Sequence, residues 1–486
     1  METEIKEWLK AALDFLRKAG ADYADARYLD RETENITVRN EQVAALSRKG
    51  DRGFGIRVLY QGSWGFAASS ELTEAEAQDV AKRALEIAQA SRLAQREPVK
   101  LDDSPPYVDV YKTPFEIDPF TVPLDKKLGL LFATLKVLRQ DKRIQMAEGT
   151  MRFFKTNKLF LSTAGAEITQ ETLESGAGIV AAAIQDGEAQ RRSYPNSFDG
   201  DFAAKGYEFV ESLKLAENAE RTREEALALL SAEECPAGKR DLIIASDQLA
   251  LQVHESCGHP VELDRALGME ISYAGGSFLT PDKLNKLRYG SRFVNIYADA
   301  TIPGSIGSFG YDDEGVKAQR VPIIEEGRFV GYLTSRETAP LLGQRSNGAM
   351  RAESWNHIPL IRMVNINLEP GPDDVTLDDL IADTEDGILV ATNKSWSIDD
   401  LRLNFQFGCE IAWEIKHGKR GRILKNPLYT GITPEFWNSC DAIAGRSEWR
   451  IWGLPNCGKG EPPQTMHVAH GAAPARFRRV EVGVSR

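Results

Sequence analysis

Between Tyr23 and Ser69 the chain passes through three short β-type runs, ENITVRN, GFGIRVLY and GSWGFAAS, set apart by Gly, Asp and Asn. That pattern reads as antiparallel strands, and it excludes an all-helical bundle. Helical spacing flanks it. Ile5, Leu9, Ala12, Leu13 and Leu16 recur on one helix face, with Gly20 placed as a C-cap. Thr73 to Ala90 reads as a second helix, with Thr73 and Glu76 in capping-box positions. Residues 93–123, rich in Pro, Asp and Tyr, read as a loop, and Leu124 to Leu138 as a third helix. Met146 to Ala183 is again strand-like, and Phe202 to Leu230 reads as one long charged helix.

The stretch EECPAG, Glu233 to Gly238, ends that helix. A chain of 486 residues holds two or three domains at about 100–200 residues each. The boundary is placed here, giving residues 1–235 as an N-terminal α+β domain and residues 236–486 as a second, mostly β domain. Asp241 to Ala245 reads as a buried strand running into Asp247 as an N-cap. A helix from Gln248 to Ser256 follows. FVNIYAD, PIIEEGRFVGYLT, RMVNINLE, GILVATN and CEIAWEIKHGK then read as strands. The fold class expected is α+β in two domains.

Composition narrows the partners. The net charge of −12 argues against nucleic acid, which needs concentrated Lys and Arg. The longest apolar run, Gly176 to Ile184, falls well short of the roughly 20 residues of a membrane helix. METEIKEWLKAALDFL is charged and lacks an unbroken apolar stretch, so it does not read as a signal peptide. Five cysteines in the whole chain do not make a disulfide framework and fit a reducing cytoplasm.

One segment carries chemistry. HESCGHP, His254 to Pro260, places two histidines five residues apart with Glu255 between them. The familiar zinc peptidase pattern has them four apart on a helix. On an α-helix, residues four apart differ by about 40° and residues five apart by about 140°. His254 and His259 therefore cannot share a face of a regular helix. Gly258 tolerates unusual dihedrals and Pro260 disfavours helix at His259. Either the helix ends near His259 and its ring curls back, or a π-bulge brings the rings together. In such a site Glu255 serves as general base. A catalytic zinc takes three protein ligands. Cys257, three residues after His254, Glu262 and the distant Cys457 are the candidates for the third. A second pattern, Gly453 to Lys459, fits the start of a phosphate-binding loop. Gly460 stands where the Mg²⁺-binding Ser or Thr belongs, and Glu461-Pro462-Pro463 follows in place of a helix N-terminus, so a nucleotide site is rejected.

HESCGHP taken with later segments resembles the TldD/PmbA family of metallopeptidases, in its metal-bearing TldD-type branch. The family's H-E-x-x-x-H stands at His254, Glu255 and His259, and its D-D-E-G at Asp312 to Gly315. N-G-x-x-R-x-E-S-x-x-H-x-P-x-x-R-M-x-N runs from Asn347 to Asn365 and includes Arg351, Glu353, His357 and Arg362. C-G-K stands at Cys457 to Lys459. The N-terminal half adds GFGIRVL and GFA near Gly53 and Gly65. The resemblance spans nearly the whole chain. It implies a cytoplasmic, zinc-dependent peptidase with metal ligands His254, His259 and Cys457 and general base Glu255. It also implies a dimer enclosing a chamber where unfolded peptides are cut, formed as a homodimer or with a paralogue lacking the metal motif. Arg351 and His357 are candidate oxyanion donors by motif position, with a structural hydrogen bond to strand backbone as the preferred reading. Asp312 to Gly315 reads as a solvated turn, and Glu262 and Asp264 as orienters of a ligand histidine or as surface residues.

The chain departs from the family after Cys457, where Gln and P-V-G-x-G give way to a different run containing His467 and His470, read as surface residues by preference or as lining the site. It departs again between Lys394 and Phe407, which bears on substrate selection. The rival reading is a non-catalytic binding or scaffold protein with a structural metal or none.

Overall fold

The computed structural model describes residues 2–485, and the fold is α+β. Helix α1 (Glu2–Lys18) buries the expected stripe from Ile5 to Leu16. It closes in a Schellman pattern, with Ala21 N–H on the Leu16 carbonyl at 3.1 Å, Gly20 N–H on the Arg17 carbonyl at 3.2 Å, and Gly20 at φ +87°. Then come β1 (Tyr23–Arg39), β2 (Gln42–Tyr60), β3 (Ser63–Ser69), α2 (Glu74–Ser91), β4 (Val108–Lys112), α3 (Leu124–Leu138), β5 (Ile144–Ser162) and β6 (Glu167–Gln185). They are followed by β7 (Glu188–Tyr194), β8 (Asp201–Ala203), α4 (Tyr207–Ser212) and α5 (Leu215–Ser231). The sheet runs β3-β2-β1-β5-β6-β4, with β7 and β8 also on β6. Only β4 is parallel to its neighbour.

Three details differ from the sequence reading. Only half of the capping box forms, because Thr73 accepts the Glu76 N–H while the Glu76 carboxylate turns to Arg83. The loop 93–123 contains β4, an edge strand held by pairing with β6 rather than by burial, since Val108 and Val110 are exposed. The single helix expected over Phe202 to Leu230 is three elements. Phe202 and Ala203 are claimed by pairing with Gly176 and Ser175 of β6, and Lys214 at φ +50° separates α4 from α5.

Strand alternation divides the two faces of this sheet. Ala24, Ala26, Tyr28, Ile36 and Val38 of β1, with Met151, Phe153, Leu159 and Leu161 of β5, pack under the five helices. Their neighbours Arg27, Arg31, Arg152, Thr156, Lys158 and Glu174 point the other way, towards the rest of the chain. The far face is therefore polar, yet it is covered rather than solvated.

The remaining chain begins with β9 (Glu233–Glu234), β10 (Gly238–Ile244), α6 (Ser246–Val253) and α7 (Leu263–Ala266). A small sheet follows from β11 (Ile296–Asp299), β12 (Arg320–Glu325) and β13 (Arg328–Phe329). Next are β14 (Met350–Arg351), β15 (Leu360–Ile361), β16 (Ile366–Leu368), which joins that small sheet, and α8 (Leu377–Ala382). The last part is β17 (Asp386–Ile398), β18 (Asn404–Lys416), β19 (Lys419–Lys425), β20 (Pro427–Ile432), α9 (Thr433–Asn438) and β21 (Cys440–Ile443). It ends with the hairpin β22 (Arg450–Lys459) and β23 (Gln464–Ala472), then β24 (Ala475–Val484). Strands β17, β10, β24, β20 and β18 follow one another in a sheet, and β17 also pairs with β18, so these five close into a ring. Asp247 is not an N-cap. Ala245 caps α6, and Asp247 lies in its first turn, where it accepts the Thr392 hydroxyl at 2.6 Å. Among the described residues no helix is long and apolar enough to cross a membrane.

The hairpin β22–β23 positions the site. Trp452 Nε1 donates to Ser246 Oγ at 2.8 Å, and Ser246 Oγ donates to the Ala472 carbonyl at 2.7 Å, which ties both strands to the start of α6. Asp201 of β8 accepts the Gly453 N–H at 2.9 Å and joins the hairpin to the first sheet.

Candidate metal centre

α6 ends at Val253, and the next five residues, His254–Gly258, form a single π-turn. The His259 N–H bonds the His254 carbonyl five residues back, not four. Pro260, which has no N–H to continue the ladder, then opens a 3₁₀ turn over His259–Val261. Of the two geometries open from spacing, the π-turn is the one present. It sets the His254 and His259 rings 4.9 Å apart, nearly perpendicular at 87°. Gly258 is needed for a different reason than dihedral freedom. Its φ of −57° and ψ of −58° are ordinary, but a Cβ there would lie 2.1 Å from Met363 Sδ.

The third residue arrives on β22. Cys457 Sγ lies 3.8 Å from His259 Nε2, and one donor atom each from His254, His259 and Cys457 falls within 4.8 Å of the others. All three residues are buried. Their protonation suits a cation. Burial lowers both histidines, His259 the more strongly, so both rings are neutral at pH 7. Burial acts to raise the Cys457 thiol, but His259 when protonated and the Arg362 guanidinium outweigh it and hold the group below its ordinary value. Burial raises the thiols of Cys235, Cys257, Cys409 and Cys440. Only Cys457 is drawn towards the thiolate that binds metal. Cys257 packs in the hydrophobic core and is not part of the metal-binding group.

The outer contacts fix which ring nitrogen is free. His259 Nδ1–H donates to the Glu262 carboxylate at 3.0 Å, leaving Nε2 towards Cys457. Although the distance would suit an ion pair, the neutral ring makes this a hydrogen bond. His254 Nδ1 lies 2.7 Å from His470 Nε2, and His470 Nδ1 lies 3.1 Å from the Ile366 carbonyl. A carbonyl can only accept, so His470 carries its proton on Nδ1 and accepts from His254 through Nε2. His254 is thereby left with a free Nε2. Carboxylate and carbonyl partners of this kind orient ligand histidines. Two imidazole nitrogens and one sulfur, buried and with their far nitrogens occupied, fit a zinc ion.

Glu255, the neighbour of His254, accepts a hydrogen bond from Arg402 Nη1. Lys459 is fully buried and donates to Asp264 at 2.7 Å and to the Ile361 carbonyl at 2.6 Å, with the Glu262 carboxylate at 3.5 Å. Glu262 thus orients His259 and Asp264 holds Lys459, and both are buried rather than surface residues. Lys459 lies in a strand and is committed to these partners, which agrees with rejecting a phosphate loop.

Other expectations need correction. His470 is buried in the site, and His467 pairs with Glu174 across the two sheets. The alternative of lining the site holds for His470, and His467 is half-buried. Asp312 to Gly315 is no solvated turn. Asp312 accepts the N–H groups of Glu314, Val316 and Met350, Asp313 pairs with Lys158 at 2.7 Å, and Glu314 pairs with Arg57 at 3.2 Å. Arg351 donates to the carbonyls of Met363 and His467, the structural role preferred for it. His357 gives its carbonyl to Arg27 and is not part of the metal-binding group. Sequence reasoning missed Arg402 and the role of His470. Nothing local signals either, since Arg402 sits at a hairpin end and His470 acts only through the register of β23.

Known proteins are similar to this chain over most of its length. The family described as PmbA/TldA metallopeptidase C-terminal domain matches residues 237–483, and PmbA/TldA metallopeptidase domain 1 matches residues 24–88. A metalloprotease of Methanocaldococcus jannaschii is 30% identical over 94% of this chain and 96% of its own length. A zinc metalloprotease TldD homolog of Saccharolobus solfataricus is 24% identical over 96% and 99%. The crystal structure of TldE from Thermococcus kodakarensis has the same fold, with a TM-score of 0.73, 16% identity, and coverage of 98% of this chain and 100% of that one. The two family matches and the relative at 30% identity together place this chain in the TldD/PmbA family of metallopeptidases.

Proposed function

We propose that this protein is a zinc-dependent peptidase that hydrolyses unfolded or small peptides. The observation that carries the reading is the meeting of His254, His259 and Cys457 in one buried group beside Glu255. The relative from Saccharolobus solfataricus, named a zinc metalloprotease, supports zinc as the metal.

His254 and His259, through their free Nε2 atoms, and the Cys457 thiolate would hold the ion. Zinc supplies Lewis acidity to a peptide carbonyl and makes water a stronger acid. Glu255 takes the proton that the attacking water gives up and hands it to the leaving amine. Arg402 holds the Glu255 carboxylate in place for this. An extended peptide adding to a strand edge would be bound mainly through its backbone, which suits broad selectivity. The enclosing dimer, either of two copies or with a paralogue lacking the metal motif, rests on the family resemblance. All five cysteines are free, which supports a reducing, cytoplasmic setting.

The scaffold reading is disfavoured by three donors where a closed structural zinc site has four, and by a carboxylate next to them. Glu255→Gln separates the two. The peptidase loses at least about 100-fold in turnover of a denatured protein substrate and keeps its zinc. Turnover unchanged in Glu255→Gln would refute the reading.

A further inference from the structure

The polar face of the first sheet and the hairpin β22–β23 enclose a cavity of about 310 Å³, in the size range of small-ligand sites. Its acids are already satisfied. Glu174 pairs with His467, and Asp313 pairs with Lys158 and accepts the Ala352 N–H at 2.8 Å. Asp312 accepts three backbone N–H groups, and Glu353 accepts that of Thr465 at 2.6 Å. Three of its four arginines are not, while the fourth, Arg152, pairs with Asp199 at 3.5 Å. Arg27 is 3% exposed, donates only to the His357 carbonyl, and has a buried Nε with no partner. Arg31 donates to Thr156 Oγ1 at 3.1 Å, and Arg351 to two carbonyls. Among the described residues none of the three makes an ion pair.

A buried guanidinium with an unfilled donor, such as that of Arg27, is costly, and the fork geometry of arginine fits a carboxylate with two bonds at once. The cavity also adjoins the metal centre. Met466 lines it and is the register partner of Cys457, and Arg351 binds the carbonyl of Met363, whose sulfur packs on Gly258 of the π-turn.

We propose that this cavity is a subsite for a carboxylate of the peptide substrate, held by Arg27, Arg31 and Arg351. The inference rests on the peptidase reading. The carboxylate belongs either to the peptide C-terminus or to an acidic side chain, and the chemistry is the same for both.

The test is binding to zinc-loaded Glu255→Gln protein by isothermal titration, so that it does not depend on turnover. The probes are N-acetyl-trialanine as the free acid, its C-terminal amide, and an amide in which the middle alanine is glutamate. The free acid is expected to bind at least about 10-fold more tightly than the plain amide, as a charge-assisted arginine contact implies. A glutamate amide that matches the free acid assigns the site to acidic side chains. A glutamate amide that matches the plain amide assigns it to the C-terminus. Arg31→Gln, whose only side-chain bond is to Thr156, should remove most of the difference with zinc content unchanged, and Arg27→Gln should do the same. Equal binding of all three probes, no binding of any, or a difference that survives both substitutions overturns the proposal. Failure of the wild type to cleave any peptide would instead overturn the peptidase reading, whatever the binding shows.

Discussion

His470→Ala isolates the hydrogen bond that orients His254. The substitution removes the Nε2 acceptor 2.7 Å from His254 Nδ1. Both side chains are buried, at 1% and 3% exposure, so water does not reach the abandoned donor easily. Leaving a buried donor unpaired costs about 1–3 kcal/mol. Loss of an outer partner of a metal-ligating histidine typically weakens metal binding about 10–100-fold, or about 1.4–2.8 kcal/mol. The two figures agree, and a zinc dissociation constant raised about 10–100-fold is expected. A chelator competition titration at neutral pH measures it. His470→Gln, whose amide oxygen can accept from His254, should recover part of the loss. Zinc affinity unchanged in His470→Ala would refute the orienting role. A loss as complete as that of Cys457→Ala would make His470 a ligand and the tautomer argument wrong.

Gly258→Ala drives a methyl group into Met363 Sδ and should cost about 1–3 kcal/mol by denaturant titration, with weaker zinc uptake. Adding Met363→Ala should restore the uptake, and unaltered zinc binding in the single variant would show that the π-turn tolerates the clash. Burial pushes the Asp201 carboxyl from 3.8 up to about 6, although the N–H groups of Gly453 and Phe202 oppose this. The folded state therefore holds this proton more tightly than the unfolded chain. The group's contribution is most favourable below 3.8 and is lost as pH rises through about 6, by at most about 3 kcal/mol. Asp201→Asn keeps an oxygen for both N–H groups and should flatten that part of the stability profile. Parallel wild-type and variant profiles would contradict it.

Local pattern carried much of the fold. The stripe of α1 and its glycine stop, the strand character around Phe54 and Phe153 though not the full length of β2, and the conflict between a five-residue spacing and an α-helix were all legible. What was not legible depends on contacts between distant segments. The β pairing that claims Phe202 cannot be seen beside a long helical pattern that begins at the same place. Cys457 joins His259 because a hairpin closes over α6, and local spacing left Cys257 and Glu262 open as rivals until the family resemblance was weighed. Arg27 alternates with apolar Ala26 and Tyr28 in a way that ordinarily marks a solvent-facing strand side, and Arg31 stands between two acids, Asp30 and Glu32. Only the covering of that face by the second half of the chain buries Arg27 and half-buries Arg31.

The central claim is that two segments about two hundred residues apart form one zinc site. The direct measurement is the zinc content, by elemental analysis, of the purified wild type and of Cys457→Ala after equal exposure to zinc. One zinc per wild-type chain, lost in the variant, is the predicted result. Zinc retained by Cys457→Ala would move the third ligand elsewhere, and no zinc in either protein would contradict the account of HESCGHP as a metal-binding turn.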